Sequence, residues 1–312
     1  MSEHKTVLLR EAIEALNLKE GDVVVDATLG GGGHSLEILK KISPTGKLLS
    51  IDRDEDAIKR FRQRIVGKDF AQNIILVKDN FSNLAEILRD KNIEKVKGIL
   101  ADFGLSSDQL NDKERGFSFY SKGVLDMRMD KNQKLTAKQV VNEYSEKKLA
   151  DIFRKFGDEA YARNIAKKIV EEREKNEIAS VEGLVEIIKT AVSEKSRRKK
   201  IHFATKVFQA IRMEVNSELL SIERFLKQAI KSLQKGGRLA VISFHSGEDR
   251  LVKNFFREKE RGCDCPPEFP ICQCGKKSEI KIITKKPIVP SKSEIADNIR
   301  SRSAKMRVVE KI

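Results

Sequence analysis

The stretch DVVVDATLGGGGHS, Asp22–Ser35, decides the fold. A β-branched apolar run ends in an acid and meets four successive glycines, and HSLEILKKI follows with apolar residues at helical spacing. That order is a buried parallel strand, a bare turn and a helix. Glycine loses more backbone freedom on folding than any other residue, so four together imply a close approach. Bare backbone at a helix N-terminus lets a ligand come near.

The same alternation continues outward. GKLLSIDRD (46–54) reads as a second strand, DAIKRFRQRIV (56–66) as its helix, NIILVKDNFSNL (73–84) as a third strand and VKGILADFGLSS (96–107) as a fourth. Repeated strand–helix units mean a parallel sheet, so the fold class is α/β. From about Asn111 to Lys200 the chain holds polar, helix-forming segments such as AKQVVNEYSEKKLADIFRKFG and no strand candidate. We therefore divide it at 1–110, 111–203 and 204–312, an α-helical insertion within a sheet domain. HFATKVFQAIRMEVNSELLSIERFLKQAIKSLQKGG (202–237) is helical up to a Gly-Gly stop. GRLAVISFHS, EIKIITKK and AKMRVVEKI supply the remaining strands.

In a doubly wound sheet, ligands sit outside the carboxyl ends of the strands. Asp52 ends the second strand 19 residues after Gly33, where an acid binds ribose hydroxyls. The dinucleotide pattern G-x-G-x-x-G fails in both registers, because Ser35 and Leu36 stand where the third glycine belongs. S-adenosylmethionine carries no pyrophosphate and tolerates an acid such as Asp26 beside the loop. It is the cofactor this turn predicts.

Charge points to the partner. The 312 residues carry a formal net charge of +15, and Lys276–Ile312 alone hold 11 basic against 4 acidic residues. Such an excess favours polyanions, nucleic acid before anionic membrane surfaces, with lysine as a mere solubiliser the alternative. No run approaches the roughly 18 apolar residues of a membrane helix. The polar, helix-patterned N-terminus is no secretory signal, so a cytoplasmic protein without a membrane partner is expected.

Nine motifs in one order narrow this further: HKTVLLREAIEAL, DATLGGGGHS, IDRDEDAI, ADFGLSSDQL, RGFSF, LDMRMD, VFQAIRMEVNSEL, SFHSGEDRLVK and NIRSRSAKMR. Together they resemble the bacterial small-subunit ribosomal RNA cytosine-N4 methyltransferase family, over about His4 to Arg307. The resemblance implies a class I, Rossmann-like methyltransferase sheet interrupted by a helical domain for substrate recognition. It implies S-adenosylmethionine-dependent methylation of a cytosine N4 in the decoding region of 16S rRNA, with the small ribosomal subunit as partner. It also implies cofactor contacts at Gly32, Gly33, His34, Asp52, Phe81, Asp102 and Gln109. From the residues alone, Phe81 reads as core and His34 as a helix N-cap neighbour. Asp108, Val124, Gly247 and Ile299 depart from the family pattern and touch loop geometry only. The oligomeric state stays open, a homodimer included.

The cytosine amine is a poor nucleophile, and a hydrogen-bond acceptor beside it restores its reactivity. Asp102 is the first candidate for that role, with Ser106 and Ser107 as neutral acceptors and His245 on the same sheet edge as a second catalytic candidate. LDMRMD (125–130) reads either as a salt-bridged turn or as a pocket wall for an unstacked base. The four cysteines, Cys263, Cys265, Cys272 and Cys274, form two C-x-C pairs. This spacing fits structural zinc imperfectly, so no metal is expected, and the loop is read as reduced thiols near the substrate face.

Overall fold

The computed structural model describes residues 5–312 apart from 107, 108, 111, 113, 199, 200, 264, 266–270 and 272. Ser107, Asp108 and Cys272, singled out above, lie outside the described residues. The chain forms two compact units, Met1–Gly104 with Leu219–Ile312, and Leu105–Glu218.

The first unit is built on one seven-stranded sheet. In chain order it holds α1 (Leu9–Leu16), β1 (Val23–Asp26), α2 (Gly33–Ile42), β2 (Lys47–Asp52), α3 (Glu55–Ile65), β3 (Ile74–Lys78), α4 (Leu84–Asp90) and β4 (Val96–Asp102). The strand order is β3-β2-β1-β4-β5-β7-β6; β1 to β5 run parallel, and β7 lies antiparallel between β5 and β6. This is the predominantly parallel α/β sheet that the strand–helix alternation predicts. Alternate strand residues feed two cores. Val25, Leu49, Ile99, Ala101 and Val241 face one side, while Val24, Leu48, Leu100, Ala240 and Ile242 face the other.

The second unit contains α5 (Ala137–Glu143), α6 (Glu146–Gly157), α7 (Ala162–Arg173), α8 (Val181–Ala191), α9 (Glu194–Arg197) and α10 (Thr205–Val215). Side-chain caps start several of them: Thr136 and Gln139 form a capping box on α5, and Ser145 and Ser180 cap α6 and α8. The unit has its own core, in which Val140, Phe153, Ile165 and Leu184 are fully buried. Val207, Phe208, Ala210 and Ile211 of α10 belong to that core, so the helical unit runs to Glu218 and not to 203. At its start it takes in Leu105–Leu110. Periodicity could not set these limits, because the helical pattern continues unbroken from α10 into α11 (Glu218–Ser232).

The chain then completes the sheet with β5 (Leu233–Ser243), α12 (Ser246–Glu260), β6 (Ile280–Ile282), α13 (Lys292–Asp297) and β7 (Lys305–Lys311). The Gly-Gly pair does not separate helix from strand as expected. β5 starts before it, at Leu233, and the pairing with β4 jumps from Leu233 to Arg238. Gly236, at φ +70°, absorbs that irregularity.

Candidate active site

The carboxyl ends of β1, β2 and β4 carry Asp26, Asp52 and Asp102, around the glycine turn. Asp52 holds the turn in place. Its Oδ2 accepts from the Gly30 N–H at 2.8 Å and its Oδ1 from the Asp54 N–H at 2.9 Å. Gly30 and Gly32 take φ of +50° and +74°, the left-handed region that glycine enters without strain.

The space beside the turn is filled by this chain's own side chains. A Cβ on Gly32 would stand 2.0 Å from the Phe61 ring, and one on Gly33 would stand 1.8 Å from Thr6 Oγ1. Internal packing therefore accounts for two of the four glycines. The N-terminal motif closes over the turn: the His34 ring N–H (Nε2) donates to the Val7 carbonyl at 3.1 Å. His34 is buried within α2, whose N-cap is Gly32, and its Nδ1 lies 3.9 Å from Asp102 Oδ2. The helix before the C-terminal motif, α13 (Lys292–Asp297), reaches the same place, with Glu294 Oε1 accepting from the Leu8 N–H at 2.8 Å.

Burial raises all three carboxyls. Asp26 is fully buried and pushed up to about 7, although Ser35 Oγ donates to its Oδ2 at 2.7 Å. Asp52 is raised by burial against the bonds from Asp54 and Gly30. Asp102 is raised well above the usual carboxylate range, by burial first and then by the charges of Asp26 and Glu248. Its backbone N–H donates to Thr28 Oγ1 at 2.7 Å, yet Oδ1 is buried with no hydrogen-bond partner among the described residues. An unpaired buried acceptor of this kind calls for a ligand donor or cation.

His245 caps α12. Its Nδ1 accepts from the Glu248 N–H at 3.3 Å, and Glu248 Oε2 accepts from the Phe244 N–H at 2.9 Å. A neutral ring used this way carries its proton on Nε2, which lies 3.0 Å from Glu248 Oε1. Phe81 follows β3 in a group with Phe103 and Phe225, at 5.5 and 5.3 Å between centroids, with the Arg53 guanidinium 5.9 Å from its ring. Gln109 lies in the helical unit, where its Oε1 accepts from the Ser106 N–H at 3.1 Å and its own N–H donates to Ser106 Oγ at 3.2 Å.

LDMRMD, also in the helical unit, is a salt-bridged turn. Arg128 donates through Nε and Nη2 to the two Asp126 oxygens, each at 2.8 Å. Met127 is fully buried at φ +58°, a conformation that costs a non-glycine about 1–3 kcal/mol. Asn216 compensates by donating to the Met127 carbonyl and accepting from the Met129 N–H, both at 2.8 Å.

The basic tail divides. Arg307 is buried and paired with Asp249, Nε to Oδ1 at 2.6 Å and Nη2 to Oδ2 at 3.2 Å, so it serves the fold. Arg300 and Arg302 are exposed. They precede β7, whose Lys305 stands opposite Ser243 at the carboxyl end of β5, so both lie on the edge that holds the carboxylates. The cysteines do not. Running back from that edge for 15 residues, about 22 Å, α12 leads to Cys263. Past the cysteine loop, Ile280 pairs with Lys311 at the far end of β7. The loop is thus at the opposite edge of the sheet and not near the substrate face.

Sequence reasoning passes over Glu248 and Asp249 as site-edge groups and notes Asp26 as an acid the loop tolerates. Only Asp26 has a signal, an acid closing a fully apolar strand.

Known proteins resemble this chain over its whole length. The model of the MraW methylase family matches residues 1–312. A Clostridium botulinum (Loch Maree) protein named ribosomal RNA small subunit methyltransferase H is 52% identical over 309 residues, 99% of each chain. One of the same name from Carboxydothermus hydrogenoformans is 52% identical over 309 residues, 99% of this chain and 98% of its own.

The Asp26 carboxyl titrates at about 7 when folded, against an ordinary value of 3.8. The folded state then binds the extra proton, so stability falls as pH rises between these values. Asp26→Asn removes that loss and should gain about 2–3 kcal/mol on the parent between pH 5 and pH 8. Urea unfolding at both pH values measures it; parallel pH dependence in the two proteins would show that Asp26 is ionised throughout.

Proposed function

The chain belongs to the MraW methylase family, and from that premise we propose that it methylates the exocyclic N4 of a cytosine in the decoding region of 16S ribosomal RNA, in the cytoplasm, using S-adenosylmethionine. The observation that carries this reading is the buried, unpartnered Asp102 Oδ1 at the end of β4. Relatives named for small-subunit ribosomal RNA supply the substrate class, and the small subunit is the proposed partner.

Three raised carboxyls along one edge suit a cationic cofactor and would repel a pyrophosphate. When bound, S-adenosylmethionine supplies a methyl group already activated by its sulfonium. Asp52 would meet the ribose hydroxyls with the lone pairs that Gly30 and Asp54 leave over. Gly32, Gly33 and His34 at the turn would hold the cofactor with it, and Phe81 would face its adenine. A positive charge nearby favours the Asp102 carboxylate, which then accepts from the cytosine amine and keeps its lone pair available. His245 acts as a positioning residue, since its Nδ1 is committed to the helix cap.

Methylation at C5 would need a cysteine adding to C6. All four cysteines fall between 263 and 274, and the three described ones lie at the opposite sheet edge, which favours direct attack by N4.

The helical unit offers a surface for RNA. Tyr120 is 79% exposed with its ring 4.5 Å from Phe119, which stacks on His202 at 4.4 Å and 5°. Burial lowers His202, keeping it neutral and suited to stacking. Exposed aromatic rings are platforms for unpaired bases.

Asp102→Ala should lower kcat by about 10²–10⁴-fold, and mass analysis of digested RNA should place the parent's methyl on N4. A covalent adduct with 5-fluorocytosine-containing RNA would sink the N4 chemistry. Exchanging Arg300 and Arg302 for Gln should reduce the salt-dependence slope of RNA binding by about 0.7–0.9 for each phosphate no longer neutralised. An unchanged slope would assign both to solubility alone. Tyr120→Ala should weaken RNA binding by about 1–3 kcal/mol without altering cofactor affinity, as titration calorimetry with each ligand would reveal. Equal RNA affinity would remove the stacking role.

A further inference from the structure

The chain between α12 and β6 leaves and returns at one clamped point. The Glu279 N–H donates to the Lys259 carbonyl at 3.0 Å, the two side chains pair at 2.7 Å, and the Ile282 N–H donates to Glu260 Oε1 at 2.7 Å. The 18 residues from 261 to 278 are therefore joined at their base. Structureless loops longer than about 12–15 residues are uncommon. Among its described residues none belongs to a hydrophobic core, and Ile271 is 75% exposed. Among these described residues, apolar burial holds nothing together.

Its thiols converge instead. The Sγ atoms of Cys263, Cys265 and Cys274 lie within 4.8 Å of one another, and Cys274 Sγ is 3.7 Å from Cys263 Sγ. Two zinc–sulfur bonds of about 2.3 Å at a tetrahedral angle put their sulfurs about 3.8 Å apart, whereas a disulfide needs about 2.05 Å. Backbone donors aim at two of the sulfurs. The Cys265 N–H reaches Cys263 Sγ at 3.4 Å, and the Gln273 N–H reaches Cys265 Sγ at 3.3 Å. Gly275, directly after Cys274, turns the chain away at φ +62° with nothing within 4 Å of where a Cβ would be.

We propose that Cys263, Cys265 and Cys274 bind a zinc ion that staples this loop. The C-x-C spacing looks unfavourable in the sequence because it constrains only neighbours. The third thiolate arrives from across the loop, where spacing carries no information. Thiolates select soft or borderline cations, and zinc adds no redox chemistry. The place at the edge opposite the carboxylates makes the site structural. Cys272 lies outside the described residues, and the three-thiolate arrangement stands without it. Binding releases the thiol protons, so retention weakens as pH falls.

The test uses the full chain, purified without chelator. Elemental analysis should find about one zinc per chain, and exchange with cobalt(II) should produce the near-ultraviolet sulfur-to-cobalt charge-transfer band. Thiol titration should be slow until a chelator is added. Cys263→Ser with Cys274→Ser should lose the zinc and the cobalt band. Should that variant fail to fold, the parent's cobalt spectrum and chelator-dependent thiol exposure decide the matter alone. A parent without zinc whose thiols titrate at once, or a folded variant that keeps its zinc, overturns the site.

Discussion

Taking a carboxylate out of water is unfavourable unless a cation or several donors compensate, and this sheet does it at the ends of three strands. Asp26 and Asp52 are partly compensated from within, by Ser35, Thr28, Gly30 and Asp54. Asp102 receives no such help at Oδ1. The glycine turn, the position of α2 and the N-terminal segment over His34 all depend on this edge being held. Asp52 fixes Gly30, Gly33 admits Thr6, and His34 anchors Val7. The strain is local to the place where a positively charged ligand would relieve it. Functional edges of parallel sheets carry perturbed groups for this reason.

Much of this is legible in the sequence. The strand–turn–helix of Asp22–Ser35, the parallel order and the last strand follow from short apolar runs and their punctuation. The acids at strand ends are visible one by one, but their mutual effect is not. Asp26 raises Asp102 because β1 and β4 are neighbours, which only the strand order reveals. The glycines read as room for a ligand, and two of them prove to be room for Phe61 and Thr6. A glycine records that something is close without recording what.

Charged residues are the least legible. Arg307 and Arg302 stand five positions apart in one basic motif, yet one is locked to Asp249 inside the fold and the other is exposed. Arg307 lies within β7 and meets a partner 58 residues away, whereas Arg302 lies in the short turn before that strand. LDMRMD likewise can be recognised in the sequence but is explained by residues far from it in the chain, Asn216 bonding the Met127 carbonyl and the Met129 N–H and Arg115 donating to the Arg128 and Met129 carbonyls. Long-range pairing of polar groups leaves no local periodicity.

The two edges of the sheet do different work, and the helix joining them shows why. α12 begins at the His245 cap, beside the carboxylates, and ends at the cysteine loop. His245 and Glu248 fix its start through reciprocal bonds, while Lys259 and Glu260 tie its end to the returning strand. The clamp at Lys259 and Glu260 holds the helix end apart from the thiol loop beyond it, and the cap at the other end holds Glu248, one of the charges that raises Asp102.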